Sequence, residues 1–169
     1  MADMVLVFML AGQRFALPAG TVRECLPLPR LWRRPGMPEA VAGFLALGPE
    51  TLPVLDLARL LGLRDRSGGT FLEADGLYRH LIRLDAATLL VDRALDVAEA
   101  AEAPPDRLPD PWQHGCVAGR LLVQGEPTAL LDPDRILRED ERMRLDALTT
   151  ATRRRAASWG GEGAIDGTR

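Results

Sequence analysis

Aromatic side chains are scarce in this chain: Phe, Tyr and Trp make up 5% of its 169 residues, although 47% of them are hydrophobic. The core is therefore aliphatic, built from Leu, Val and Ala, and the aromatic platforms on which nucleic-acid bases stack are in short supply. Basic residues are not in excess either. A formal net charge of −3 at pH 7 argues against binding to a phosphate backbone, so no nucleic-acid partner is expected. Cysteine occurs only at Cys25 and Cys116, in no C-x-x-C pair, which excludes a zinc ribbon and a thioredoxin-like site and leaves two inert buried thiols. No run approaches the ~20 apolar residues that cross a bilayer. Residues 1–8 have neither a basic n-region nor an uninterrupted apolar h-region, so no signal peptide, no membrane insertion and a cytoplasmic location are expected. No G-x-S-x-G or G-x-x-x-x-G-K-[ST] motif occurs, which disfavours acyl transfer and phosphate handling.

What is present is a repeated phrase. Leu52-Pro53-Val54-Leu55 leads into Asp56-Leu57-Ala58-Arg59-Leu60-Leu61, and Thr128-Ala129-Leu130-Leu131 leads into Asp132-Pro133-Asp134-Arg135-Ile136-Leu137. Each reads as a strand ending in an Asp N-cap and a short amphipathic helix. Pro133 suits the first helical position, where a missing N–H costs nothing. The separation far exceeds the roughly 20–50 residues of a solenoid unit. Two small lobes sharing an interface are expected, joined by the polar, Gly-bearing connection near 64–80.

Elsewhere short apolar runs alternate with turn signals. Met4–Leu10 and Phe15–Leu17 predict a hairpin, as do Leu81–Leu84 and Thr88–Val91, and Val117–Val123 with the run after Gly125. Val22–Leu26 is either a helical turn or a strand. Pro27, Pro29, Pro35 and Pro38 make the segment around Trp32-Arg33-Arg34 a loop. Residues 99–111 also read as loop. The second Asp-capped helix extends through Arg138–Leu148, and residues 153–169 predict a disordered tail. The pattern describes an all-β protein of two small barrels with a few short helices.

The ordered set Leu6-Val7-Phe8-Met9-Leu10-x-Gly12-x-x-Phe15-Ala16-Leu17, Val22-x-Glu24, Pro38, Gly43 and Leu52-Pro53-Val54-Leu55-Asp56-Leu57 resembles the signature of CheW-like domains. The second half is similar too, through Leu90-Val91-Asp92-x-x-Leu95-Asp96-Val97, Gly119 and Leu130-Leu131-Asp132. The resemblance spans roughly residues 4–140, within a CheW-like domain expected over 1–152. It implies two five-stranded SH3-like β-barrels packed around a shared core, and a non-catalytic adaptor that bridges a chemoreceptor signalling tip to the regulatory domain of a CheA-like histidine kinase, with no cofactor and no metal. It further implies a groove between the barrels for the receptor's helical hairpin, lined here by Val22, Glu24 and Cys25. The family usually has N-L-R-G between Gly43 and Pro53, its arginine helping to bind the receptor; this chain has Ala46-Leu47-Gly48-Pro49. A glycine does not replace a guanidinium fork, and Arg14, Arg33 or Arg34 are the candidates to compensate.

Plainer readings stand beside these. Asp56 and Asp132 are N-caps before they are an acid–base pair. His80 and His114-Gly115-Cys116 lack a third ligand at supporting spacing. Val22 and Cys25 read equally well as core residues. Trp32, flanked by arginines, is a candidate interface anchor, or packs on its own barrel. Arg153-Arg154-Arg155 reads as a solvated tail. The alternative function is a small ligand-binding or hydrolytic β-barrel using Asp92, Asp96 or His114.

Overall fold

The apolar run near the N-terminus is a strand buried on both faces. In β1 (Asp3–Leu10), Val5 and Val7 join Ala16 and Val123 in one apolar cluster, while Leu6, Phe8 and Leu10 join another, as a side-chain period of two dictates. The first cluster draws on strands of a single lobe and is that lobe's interior. The second draws on both lobes and is the layer between them. The computed structural model describes residues 3–64, 78–103 and 115–160.

The first lobe is a closed barrel of β1, β2 (Gln13–Pro18), β10 (Glu126–Leu131), β9 (Val117–Val123) and β8 (Arg93–Glu102), in that order. The second is a five-stranded sheet of β3 (Val22–Pro27), β6 (His80–Leu84), β7 (Thr88–Val91), β5 (Glu50–Asp56) and β4 (Val41–Leu47). Both contain one parallel pair, β10 with β2 and β5 with β7. The lobes therefore correspond strand for strand: β8, β9, β10, β1 and β2 repeat the roles of β3, β4, β5, β6 and β7. In the second lobe these strands follow one another along the chain; in the first they come from its two ends. The connection near 64–80 accordingly does not join the lobes. It leads from α1 (Leu57–Leu60) to β6, both in the second lobe, and residues 65–77 lie outside the described residues.

The repeated phrase is the equivalent β5–α1 and β10–3₁₀ junction. Asp56 Oδ1 accepts from the Arg59 amide at 3.2 Å, and Asp132 Oδ1 from the Asp134 amide at 3.0 Å. After Asp132 the chain makes only a 3₁₀ turn, Pro133–Arg135, before α2 (Glu139–Gly160) begins. Of the alternatives at Val22–Leu26 the strand is the one observed, as β3, and a 3₁₀ turn at Ala19–Thr21 precedes it.

Two segments expected to be irregular are ordered. β8 continues through Glu102, because its small Ala98 and Ala100 alternate into the barrel interior; residues 104–111 of that expected loop lie outside the described residues. The tail expected from residue 153 is helical as far as Gly160, so one helix is long, and residues 161–169 lie outside the described residues. α2 starts with Glu139, Asp140 and Glu141 on the favourable end of its dipole, and Glu141 Oε2 accepts from the Arg138 amide at 2.9 Å, half of a capping box.

The inter-lobe layer fixes the relative orientation of the lobes. Leu6, Phe8 and Phe15 from the first lobe meet Leu55, Ile82, Leu89 and Val91 from the second, with Leu131, Ile136 and Leu145 closing the layer. Phe8 and Phe15 face each other across β1 and β2 with ring centroids 6.1 Å apart. Each fully buried Leu or Phe contributes about 1.5–3 kcal/mol.

Candidate functional site

β3 pairs with β6 on one side only and is the edge of its sheet. Its alternation leaves Arg23, Cys25 and Pro27 exposed and Val22, Glu24 and Leu26 half-buried. Val22 rests on the inter-lobe layer and Leu26 on the second lobe's interior, so one strand offers apolar steps with a carboxylate between them. Glu24 is not free: it accepts from Arg83 Nη1 at 2.8 Å, and Arg83 Nη2 stands 3.5 Å from Glu50 Oε2. This Glu24–Arg83–Glu50 chain crosses the sheet face. Beside it Arg23 forks onto Asp85 through Nε and Nη2, the latter at 3.0 Å. The Arg23 hydrogen bond holds the Asp85 carboxyl below its usual range.

Asp85-Ala86-Ala87, the turn between β6 and β7, lines two clefts. The larger, about 360 Å³, is shared with Arg23, Glu50, Arg83 and Arg153. The smaller, about 200 Å³, is shared with Gly20, Thr21, Ile136 and Arg142. α2 contributes an arginine to each. It is seated by Leu145, Thr149 and Thr152, all buried, by Arg34 Nη1 donating to Thr152 Oγ1 at 3.0 Å, and by Arg153 Nη2 donating to the Thr51 carbonyl at 3.3 Å.

Ala46, Leu47, Gly48 and Pro49 form the β4–β5 hairpin end. Leu47 pairs with Glu50 across Gly48-Pro49, so this turn delivers Glu50 to the same face. Gly48 has φ +58°, the left-handed entry that a two-residue hairpin uses, and the proline after it excludes the type I′ form. Of the arginines considered as compensation, Arg34 is engaged with Thr152, and Arg14 stands opposite Met9 in the other lobe. Beside this hairpin Arg83 reaches Glu50, and Arg153 donates to the Thr51 carbonyl.

Arg83, Glu50, Asp85 and Arg153 escaped sequence reasoning. The first three become neighbours only through strand register, with Glu24 opposite Arg83 and opposite charges across a sheet pair as expected once register is known. Arg153 lay in a segment with no apolar period.

The remaining candidates disperse. Cys25 is exposed rather than buried, because β3 turns that face outward, whereas Cys116 is buried; desolvation raises both thiols above their ordinary value. Trp32 forms a β-bridge with Phe44, its amide 2.9 Å from the Phe44 carbonyl and the rings 6.4 Å apart, yet stays 49% exposed. Asp92 accepts from the Ala11 amide and pairs with Arg64. Asp96 accepts from the Val97 amide, and His80 Nδ1 accepts from the Ala94 amide at 3.4 Å. His114 lies outside the described residues. Among the described residues there is no cluster of three metal-ligating side chains, and no helix is long and apolar enough to cross a membrane.

Two β lobes locked by a common apolar layer, with a half-exposed edge strand beside a charged cleft, define a rigid scaffold. The family comparison gives the class its name: the model of the CheW-like domain matches residues 4–141, and the chain belongs to that family. Its members are non-catalytic scaffold or adaptor proteins of chemotaxis. Among solved structures, the crystal structure of the scaffolding protein TtCheW from Thermoanaerobacter tengcongensis is similar, with TM-score 0.61 and 20% identity over 78% of this chain and 90% of that one. It shares the fold of two SH3-like barrels. A comparison with curated proteins found no match.

Proposed function

We propose that this chain couples a chemoreceptor signalling tip to the regulatory domain of a CheA-like histidine kinase, in the cytoplasm at a chemosensory array. The observation that carries the receptor side is the edge strand β3, where Val22 and Leu26 give apolar steps and Glu24 is held by Arg83. An amphipathic helix recognises such a surface by burying its apolar stripe and setting its register with charge. Val22, Glu24 and Cys25 line the contact, the Ala46–Pro49 turn closes one end, and Trp32 is an anchor on the flank. The inter-lobe layer converts two separate contacts into a fixed geometry, since neither lobe turns without breaking it.

The test is calorimetric titration of the full chain against a receptor signalling-tip coiled-coil fragment and a kinase regulatory domain from the same genome. Binding to both is expected. Glu24→Lys places a cation beside Arg83 and should weaken the receptor fragment tenfold or more, as a charge removed from a partly buried network costs on the order of 1.5–3 kcal/mol, with the kinase domain unaffected. Binding to neither partner overturns the proposal.

A further inference from the structure

We infer that α2 forms a wall of the receptor groove and that Arg153 pairs there with a carboxylate on the receptor helix; this rests on the adaptor reading above. The family match ends at residue 141, inside the first turn of α2, so most of the helix lies beyond the matched residues. It is nonetheless placed specifically, through buried Leu145, Thr149 and Thr152 and through Arg34 and Thr51. Arg142 and Arg153 are separated by about three helical turns, roughly 16 Å, and so share one face. That face looks onto both clefts beside the β6–β7 turn. Opposite α2 the turn offers the small side chains of Ala86 and Ala87 and the Arg23–Asp85 pair.

Charge selects the occupant. In the larger cleft Arg23 is committed to Asp85, and Arg83 to Glu24 and Glu50. Arg153 has no carboxylate partner among the described residues; its hydrogen bond goes to the Thr51 carbonyl at 3.3 Å. One carbonyl uses one of five guanidinium donors, and the fork that remains matches a carboxylate. The three arginines are matched in number by Asp85, Glu24 and Glu50, but all three carboxylates sit on Arg23 and Arg83, which leaves Arg153, beside a hairpin turn with no cation of its own, open to a carboxylate from outside. A receptor helix presenting Glu or Asp at that height fits it.

The test uses Arg153→Ala, Arg153→Glu and Arg153→Lys in the full chain, titrated against the same receptor fragment and kinase domain. Arg153 is exposed, so all three should fold, which thermal melting checks. Expected are about tenfold weaker receptor binding for Arg153→Ala, a larger loss for Arg153→Glu, partial retention for Arg153→Lys, and no change toward the kinase domain. Wild-type affinity in Arg153→Ala and Arg153→Glu, while Glu24→Lys loses binding, overturns the role of α2 and leaves the adaptor standing. A wild-type chain that does not bind the receptor fragment overturns both.

Discussion

Asp92 holds the Ala11 amide at 2.7 Å across the boundary between the lobes. Ala11 sits in the β1–β2 turn of the first lobe, and Asp92 at the point where the chain leaves β7 of the second. The turn is strained: Ala11 has φ +47° and Gly12 φ +77°, the two left-handed residues of a type I′ hairpin, in which alanine is a poor choice at the first position. The same carboxylate pairs with Arg64 at 2.6 Å and stands 3.7 Å from Arg79, which is 8% exposed and lies 3.6 Å from Asp56. Asp92 is thus a tie between lobes, turn and buried arginine.

Asp92→Ala should therefore destabilise the protein by about 2–4 kcal/mol, because it removes a partner from buried charge and leaves the Ala11 amide without its acceptor. Asp92→Asn keeps an acceptor for Ala11 and should fall between the two. Urea denaturation measures both, and equal stability of all three would disprove the tie.

The two Asp caps look alike in sequence and should not behave alike. Asp56 is 1% exposed and shared among the Arg59 amide, Arg59 Nε at 3.7 Å and Arg79. Asp132 has a side chain 29% exposed beside Arg135. Asp132→Ala should cost about 1 kcal/mol, an ordinary cap, and Asp56→Ala about 3–5 kcal/mol, a buried ion pair broken on one side. Similar losses in the two variants would show that burial adds nothing to the cap.

This difference marks what was legible. The strand-cap-helix phrase can be read from Leu55-Asp56-Leu57 and Leu131-Asp132-Pro133 because capping is local. β1 and β7 announce themselves as continuous apolar runs because both of their faces are buried. Lobe membership is not local: β1 pairs with β8, and β2 with β10, across most of the chain, and nothing near Leu6 says so. α2 was missed beyond Leu148 because Thr149 and Thr152, not aliphatic residues, carry its buried face. The partners of Glu24 needed strand register, and the burial of Asp56 needed Arg79, which the sequence places beyond a long connection.

Gly43 is fixed by its neighbour across the Pro-rich segment. A Cβ there would lie 2.9 Å from both Leu31 Cβ and the Trp32 carbonyl, and the latter is backbone that accepts from the Phe44 amide at 2.8 Å. Gly43→Ala should push Leu31–Trp32 off β4 at a cost of about 1–3 kcal/mol. Because Trp32 then leaves Phe44, a change in its fluorescence, read in a folded protein whose other two tryptophans, Trp112 and Trp159, are replaced by Phe, is the specific readout, and an unchanged spectrum would show that the segment yields without unpairing.

The Arg23–Asp85 pair sets an acid limit beside the edge strand β3. Arg23 lowers the folded pKa of Asp85, so its contribution is fully present above the unfolded value of about 3.9 and is lost as the pH falls through the lowered folded value. Carboxyl chemical shifts should show Asp85 titrating below a free aspartate, and Arg23→Ala should return it toward about 3.9. Between pH 5 and 8 the pair stays closed, so the proposed receptor binding should not vary there on its account.

Restoring an arginine to the hairpin is a backbone problem before it is a charge problem. A side chain at Gly48 would meet no atom within 4 Å, yet φ is +58° and Pro49 follows, two conditions that disfavour a residue with a Cβ. Gly48→Arg should therefore cost about 1–2 kcal/mol in stability, and Gly48→Asn less, since asparagine tolerates the left-handed region. Pairing Gly48→Arg with Pro49→Gly moves the freedom to the next residue and should recover most of the loss. Thermal melts of the three variants separate strain from charge. If Gly48→Arg alone melts like the wild type, the turn is plastic, and the backbone is not what keeps arginine out of it.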